Sequence, residues 1–589
     1  VGYGGTTSNT LIYSGGQQFV SNGGITEATA VYSGGYEYVT GGVASGSQVY
    51  VYGTLNITSG TAVSAAISGG SLLVSGGEAF QTTVSQDGYI QVTGAGETIN
   101  TVLDGNASEY VDNNGSAILT SVYNGNDLDI LNGGKATDSF ILGGYESIQG
   151  GEDDNATVTS YGTQIISANG LAQSATIQDG QQQIFAGGTA FGTTVISSGQ
   201  QYVSSGGIAD NTVLQSGGAE YISGGIASGT IISSGGAQYL AYGSASATTI
   251  LSGGAAYLSG GVAYKTHVSS GGMLQDGSGA TTSGTVIKTG GLEIVSAGAS
   301  AIGTVLSKGG ILLVLSGGTS SANVMDGGKV VSTGVLLGQA GKLTTFPTSA
   351  SGQTVSSGGL EYVLSGGSTT STTLTGAGAS QDIFAGGTTT GTTISAGGQQ
   401  TLLTGGTASA SIVNSGGTLF FSGGTAIGTT VKSAGIAFGF AGTFSGGTIA
   451  KGADFEGFGT TLITGATISG TSEIYHQASG CIIAAGDTYN LNIAGTTVGE
   501  TNLVFGPGSI LTTTSTVALT TPKMTFLKPA AAPHTASPVM VGLDPTIHAS
   551  AAKTPNFTTS THHPTSYPIT YKQIAQTLIL LHPHLIAAG

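Results

Sequence analysis

The sequence predicts an all-β protein: a parallel β-helix, or solenoid, of 18–19-residue repeats, with a disordered Pro/His-rich C-terminal tail. Three observations carry this prediction. Gly-Gly pairs recur at a fixed spacing, with Gly217-Gly218, Gly235-Gly236, Gly253-Gly254 and Gly271-Gly272 each 18 residues apart. A second series, Gly206-Gly207, Gly224-Gly225 and Gly260-Gly261, runs 11 residues ahead of the first, and a fixed period of this size is the signature of a repeat architecture. Between the pairs stand Val, Ile, Thr and Tyr, which favour strands, among Ser and Gly, which do not favour helices. Composition agrees, because 106 of 589 residues are Gly and only 7% are charged.

Each unit has a short arm and a long arm. The short arms, such as Ala219-Glu220-Tyr221-Ile222, Ala237-Gln238-Tyr239-Leu240 and Ala255-Ala256-Tyr257-Leu258, end on Val, Ile or Leu after an aromatic or aliphatic residue. The long arms carry Ala, then Thr three or four residues on, then β-branched residues or Leu, as in Ala209, Thr212, Val213 and Leu214. Gly-Gly supplies the positive φ of a sharp corner, and a third bend is expected near Ser228-Gly229. One unit alone cannot bury enough apolar surface to fold. Stacked units can, because each strand then bonds to the coils above and below and the aliphatic side chains form continuous rows. At ~4.8 Å per coil, about 26 coils would extend ~120–130 Å. Right-handed winding is favoured by the crossover rule.

The repeat region is expected over 1–515, with irregular coils near 104–154, where ten carboxylates cluster, and near 341–353, around Pro347. Residues 516–589 hold nine of the 11 Pro, six of the eight His and one carboxylate. They read as a low-order tail, with a short helix expected only over Tyr571–Leu581.

Charge excludes several functions. The net charge is −17 and all 12 basic residues are Lys; nucleic-acid recognition needs clustered Lys and Arg, so no nucleic-acid partner is expected. A single Cys, Cys481, allows no internal disulfide. No run of 18 apolar residues forms a membrane-spanning helix. No phosphate loop with its Lys and following helix occurs, and no cofactor is expected.

The pattern Gly-Gly-x-x-Tyr-Val-x-Gly-Gly-x-Ala-x-x-Thr-x-Val-x-Ser-Gly-Gly, seen best at 217–272 and again at 397–435, resembles the AIDA-type repeat of bacterial autotransporter adhesins. The resemblance covers most of residues 10–450. It implies a right-handed β-helical passenger at the cell surface of a Gram-negative bacterium, or released from it, acting in adhesion, autoaggregation or biofilm formation and not as an enzyme. Its partners would be a surface protein or glycan of a host or neighbouring cell, or a second copy. Some members carry heptose on repeat Ser and Thr, so a glycosyltransferase is a further implied partner, although no single acceptor carries over. A full autotransporter ends in a transmembrane β-barrel of alternating strands. The 74-residue tail is too short and too Pro-rich for one, so membrane attachment is expected only through a translocator outside this chain. Two alternatives stand beside the adhesin: a β-helical polysaccharide-degrading enzyme and a purely structural spacer.

Four groups carry candidate chemistry. Asp127 and Asp129, in Asn124–Gly134, resemble one Ca²⁺-binding nonapeptide, but such sites need tandem copies that complete each other's coordination, and a solvated acidic turn is the plainer reading. Glu152, Asp153 and Asp154 could pair carboxylates for sugar chemistry, or form a charged loop. Cys481 and the tail His residues read as an inert thiol and a non-binding linker. The Tyr row, Tyr38, Tyr202, Tyr221, Tyr239, Tyr257 and Tyr362, is either a structural ladder or a flat binding strip for sugar or protein.

Overall fold

The computed structural model describes residues 1–468 and the backbone of short strands out to Phe526. Cys481, the helix expected over 571–581 and the tail His residues lie outside the described residues. Among the described residues there is no helix; the chain winds as a parallel β-solenoid, and three strands make one coil. In the coil starting at Ala219, face A is Ala219–Ile222 and face B is Ile226–Ser228, both within the strand Ala219–Ser228, and face C is Ile231–Ile232. The bend between faces B and C falls at Gly229, with φ +68°. The next coil pairs in parallel one repeat on: Tyr221 with Tyr239, Ala227 with Ala245, Ile232 with Ile250.

Strand alternation decides which side chains enter the tube. Ile222, Ala227 and Ile232 point inward and are at most 1% exposed. Equivalent residues of successive coils stack into rows: Val203, Ile222 and Leu240 on face A, Leu214, Ile232 and Ile250 on face C. These rows make one continuous core from Ile12 to Leu312. The backbone ladder does not break at the corner between faces C and A. There Gly217, Gly235, Gly253, Gly271 and Gly290 each donate N–H to the carbonyl of the equivalent glycine one coil on, at 2.9 Å.

The two glycines of a pair do different work, which corrects the expectation that both supply the turn. In the pairs at 217, 224, 235, 253 and 271 only the first has positive φ, and in Gly260-Gly261 only the second. Gly218 is needed for space instead: a Cβ there would stand 2.1 Å from the Val195 carbonyl oxygen of the coil beneath.

The chain divides into two compact units, Val1–Thr369 with Gly378–Thr388, and Thr370–Ala377 with residues from Thr389 on. In the first unit, the acidic stretch 104–154 is not interrupted by longer loops as its composition suggests. Its strands hold parallel register throughout, Glu109 with Leu128, Leu128 with Glu146, Ala136 with Asp153. Alternation explains this, since the carboxylates either point to solvent or enter the tube beside hydroxyl and amide partners. The winding is interrupted later, by an antiparallel hairpin, Val335–Gln339 with Lys342–Phe346. This hairpin and the strand Leu360–Val363 cover the outer side of face A. The strands Leu292–Val295 and Ile311–Val314 are therefore covered on both sides, their outward Leu292, Ile294, Ile311 and Leu313 packing with Leu336, Tyr362 and Leu364.

The second unit repeats the three-faced coil, with face-C strands at Thr393–Ile394, Ile412–Val413, Thr430–Val431 and Thr448–Ile449. Aromatic rings enter its core: Phe421 and Phe444 both lie against Phe455, at centroid distances of 6.2 and 5.2 Å.

Candidate functional site

Two long features distinguish this solenoid, a polar row inside the tube and repeating rows outside it. The inner row lies two residues before the inward aliphatic of face A, so alternation turns it inward too. It reads Glu37, Leu55, Leu72, Ile90, Glu109, Leu128, Glu146, Gln164, Gln182, Gln201, Glu220 and Gln238 along successive coils. The amides form a chain, in which Gln164 donates to Glu146 and Gln182 to Gln164, both at 2.6 Å. Gln201 donates to Gln182, also at 2.6 Å.

Several inward Glu side chains are clasped by hydroxyls from the preceding coil and from their own coil. Thr26 and Ser47 donate to Glu37 at 2.8 Å each, and Thr98 and Thr120 to Glu109 at 2.5 and 2.8 Å. Thr282, Thr285 and Thr304 donate to Glu293. Two places hold carboxylates in pairs: Asp153 beside Glu146, bridged by Gln164, and Asp276 beside Glu293, bridged by Thr282. Asp276 stands where its neighbours in the row, Leu258 and Val295, are aliphatic.

Burial pushes all of these acids up from the ordinary carboxylate range, because an anion loses its hydration inside the tube. The carboxyls of Glu146 and Glu220 are raised to about 7. Those of Glu37, Glu109, Asp153, Asp276 and Glu293 are raised by the same cause, and the two aspartates are pushed further by the neighbouring glutamate. The inner row thus holds acids whose protonated form burial favours, together with amides, hydroxyls and aliphatic side chains, all closed to solvent. Sequence reading overlooked it, although Thr or Ser 10 or 11 residues to either side of a short-arm Glu (Thr26, Glu37, Ser47; Thr98, Glu109, Thr120) was a legible signal.

The candidate carboxylates do not converge on an outer site. Glu152 and Asp154 face outward from the strand Glu152–Asp154, while Asp153 is buried between them. Asp127 and Asp129 share the outer side of face A. Each has its carboxyl raised, mainly by lost hydration, with the Asp127 charge adding to the effect on Asp129. Among the described residues no group of three His, Cys, Asp or Glu side chains is gathered to hold a metal.

The tyrosines do not form one row. Tyr202, Tyr221, Tyr239 and Tyr257 stack on the outer side of face A with centroids 5.0–5.3 Å apart and planes within 15°. Each alternates with an inward partner, so Tyr221 points out where Ile222 points in, as do Tyr239 beside Leu240 and Tyr257 beside Leu258. Tyr38 stacks separately on Phe19, at 4.9 Å, and Tyr362 is buried beneath the hairpin. Rings stacked along the solenoid cover each other's faces, so this run offers hydroxyl edges to solvent and not the open faces a sugar would stack on. Each stacked pair contributes about 0.5–1.5 kcal/mol beyond burial. Tyr239→Ala breaks two such contacts and should lower the melting temperature clearly, whereas Tyr242→Ala, at a ring 70% exposed, should leave it within a degree or so. Paired thermal melts of the full chain check this.

The outer corner between faces C and A carries a second regular row. Ser216, Ser234, Ser252 and Ser270 are exposed, one per coil, each beside the first glycine of the following corner.

Parallel strands in register around a closed polar and aliphatic core define the class, a β-solenoid repeat protein. No protein-family model matches the sequence, and no curated protein matches it. Among solved structures the chain is similar to a TibC-catalysed hyper-glycosylated fragment of TibA, at 27% identity over 56% of this chain and 96% of that one, with a TM-score of 0.28. It is also similar to the PL6 family alginate lyase AlyGC, at 10% identity over 89% of this chain and 97% of that one, TM-score 0.14. A point mutant of the same lyase matches at 9% identity, TM-score 0.16.

Proposed function

We propose that this chain is a non-enzymatic adhesive stalk, the passenger of a bacterial autotransporter, displayed on the cell surface or released from it. The observation that carries the proposal is the exposed serine column, Ser216, Ser234, Ser252 and Ser270, held in register by corner glycines that bond coil to coil. A row of identical hydroxyls on a stiff backbone suits many weak contacts made together, and such contacts multiply through effective concentration. The AIDA-type repeat pattern supports the same reading. Its partners would be a surface protein or glycan of another cell, or a second copy. The exposed hydroxyls are also the natural acceptors for a glycosyltransferase.

Beads coated with the full chain test this. They should aggregate or adhere to glycan-coated surfaces, and Ser216→Asp, Ser234→Asp, Ser252→Asp and Ser270→Asp together should weaken that several-fold while leaving circular dichroism unchanged. Release of sugar products from a panel of neutral and acidic polysaccharides would instead establish an enzyme and end the proposal.

A further inference from the structure

Positive charge is concentrated in one part of the first unit. Residues 1–264 carry 18 carboxylates and one lysine, Lys135, whereas residues 265–342 carry five lysines and three carboxylates. Two of those three, Asp276 and Glu293, are buried inside the tube, which leaves Asp326 as the only one at the surface. The lysines are all exposed. Lys288 and Lys308 stand at the corner between faces C and A on successive coils, and Lys342 stands at the turn of the hairpin.

The hairpin turn comes down beside that corner. The Gly341 carbonyl oxygen lies 3.1 Å from where a Cβ on Gly290 would stand, two residues beyond Lys288. Between turn and corner is a cleft of about 130 Å³, with Gly271, Gly290, Met273, Gln339 and Lys342 among its walls. Glycines make the corner wall bare backbone, so a ligand group can approach it closely. The Lys329 ammonium is committed, donating to Thr345 Oγ1 at 3.2 Å.

We propose that this cleft and the lysines along its edge bind a linear polysaccharide that carries carboxylate groups. The proposal rests on the adhesive reading and names the class of ligand. A cleft of this size seats one anionic substituent rather than a whole chain, and the Lys342 ammonium supplies its donors, while the Gln339 amide in its wall is held by Ser356. Lys288 and Lys308 stand on successive coils, which repeat every ~4.8 Å, close to the length of one sugar ring, so a chain laid along the edge can meet both. A nucleic acid would bring a far denser row of phosphates within the ~8 Å screening length of a surface that is acidic over most of its extent. A bilayer would need a broad basic or apolar face.

Affinity electrophoresis of the full chain in gels containing polygalacturonate tests the assignment, with neutral dextran as the control. The chain should be retarded by polygalacturonate alone, and 0.5 M NaCl should abolish the effect. Lys288→Glu, Lys308→Glu and Lys342→Glu together should weaken retardation at least tenfold. The milder Gln triple should also weaken it and keeps the test valid if the Glu triple fails to fold. Lys135→Glu, Lys432→Glu and Lys451→Glu make the same change in net charge on exposed lysines elsewhere and should have no effect. Equal loss in both Glu triples, equal retardation by dextran, or binding to phosphatidylglycerol vesicles but not to polygalacturonate would overturn it. If polygalacturonate is not bound but coated beads still aggregate, the cleft assignment falls and the adhesive stalk stands. If neither occurs, both fall.

Discussion

The solenoid should be most stable in acid and lose stability steadily as pH rises from about 4.5 towards 7. The cause is the inner row. Glu220 is fully buried and its carboxyl is raised from 4.5 to about 7, chiefly by lost hydration and in spite of hydrogen bonds from Gln238 and Thr230. Below about pH 4.5 the group is protonated in both folded and unfolded chains, and its contribution is intact. Between 4.5 and 7 only the unfolded chain gives up the proton, so each unit of pH favours unfolding by about 1.4 kcal/mol. Above the folded value the loss is complete, about 3 kcal/mol for this one side chain. Six other buried acids, Glu37, Glu109, Glu146, Asp153, Asp276 and Glu293, are shifted in the same direction.

Urea denaturation at pH 4.5 and pH 7.5 measures the sum, and the acid midpoint should be the higher by a wide margin. Glu220→Gln isolates one contribution. It should stabilise by roughly 3 kcal/mol at pH 7.5 and change little at pH 4.5, since Gln already fills the equivalent positions Gln201 and Gln238 on the neighbouring coils. A flat stability profile between these pH values, or a Gln variant without effect at pH 7.5, would refute the upward shift of the buried acids.

Gly218→Val should open the solenoid at the coil that contains it. The first added carbon would meet the Val195 carbonyl oxygen at 2.1 Å and its carbon at 2.6 Å. Those atoms belong to the backbone of the coil beneath, so no rotamer change relieves the overlap. Relief requires the coil to part from the one beneath, with loss of the bonds from Gln215 N–H to the Val195 carbonyl and from Ala219 N–H to the Gly199 carbonyl, and of close packing between Val195 and Leu214. The cost should exceed about 4 kcal/mol, the range of mutations that break a core or force backbone apart. A repeat array transmits stability between neighbours, so the damage should spread over a few coils and leave distant ones folded. Limited proteolysis should yield a new cut near 195–219, and hydrogen exchange should rise there first. Gly303→Asn is the matched comparison: φ is +67° with nothing within 4 Å of the added carbon, and Asn tolerates that conformation. It should cost less than about 1 kcal/mol. Similar losses in both variants would mean that positive φ, and not contact between coils, is the requirement for glycine.

Much of this molecule can be read locally. The 18-residue period, the short and long arms and the bend at Ser228-Gly229 follow from strand propensity and glycine placement, which each repeat states again. Ile222, Leu240 and Leu258 identify themselves as core for the same reason. The candidate site was less legible. Glu152, Asp153 and Asp154 are adjacent in sequence, yet alternation sends the middle one into the tube and the outer two to solvent. Six tyrosines occupy the same place in their repeats, but a ring stacks only where the next coil also offers a ring, and Tyr362 meets Phe384 and the hairpin cluster instead.

The sequence by itself determined that the chain is a stack of three-sided coils, because period, corner and strand preference are properties of a single repeat. Only the tertiary structure decided which acids are buried and so raised, which glycine yields space and which basic edge the hairpin meets. Each of these depends on atoms brought together from different coils, and no spacing within one repeat records those distances.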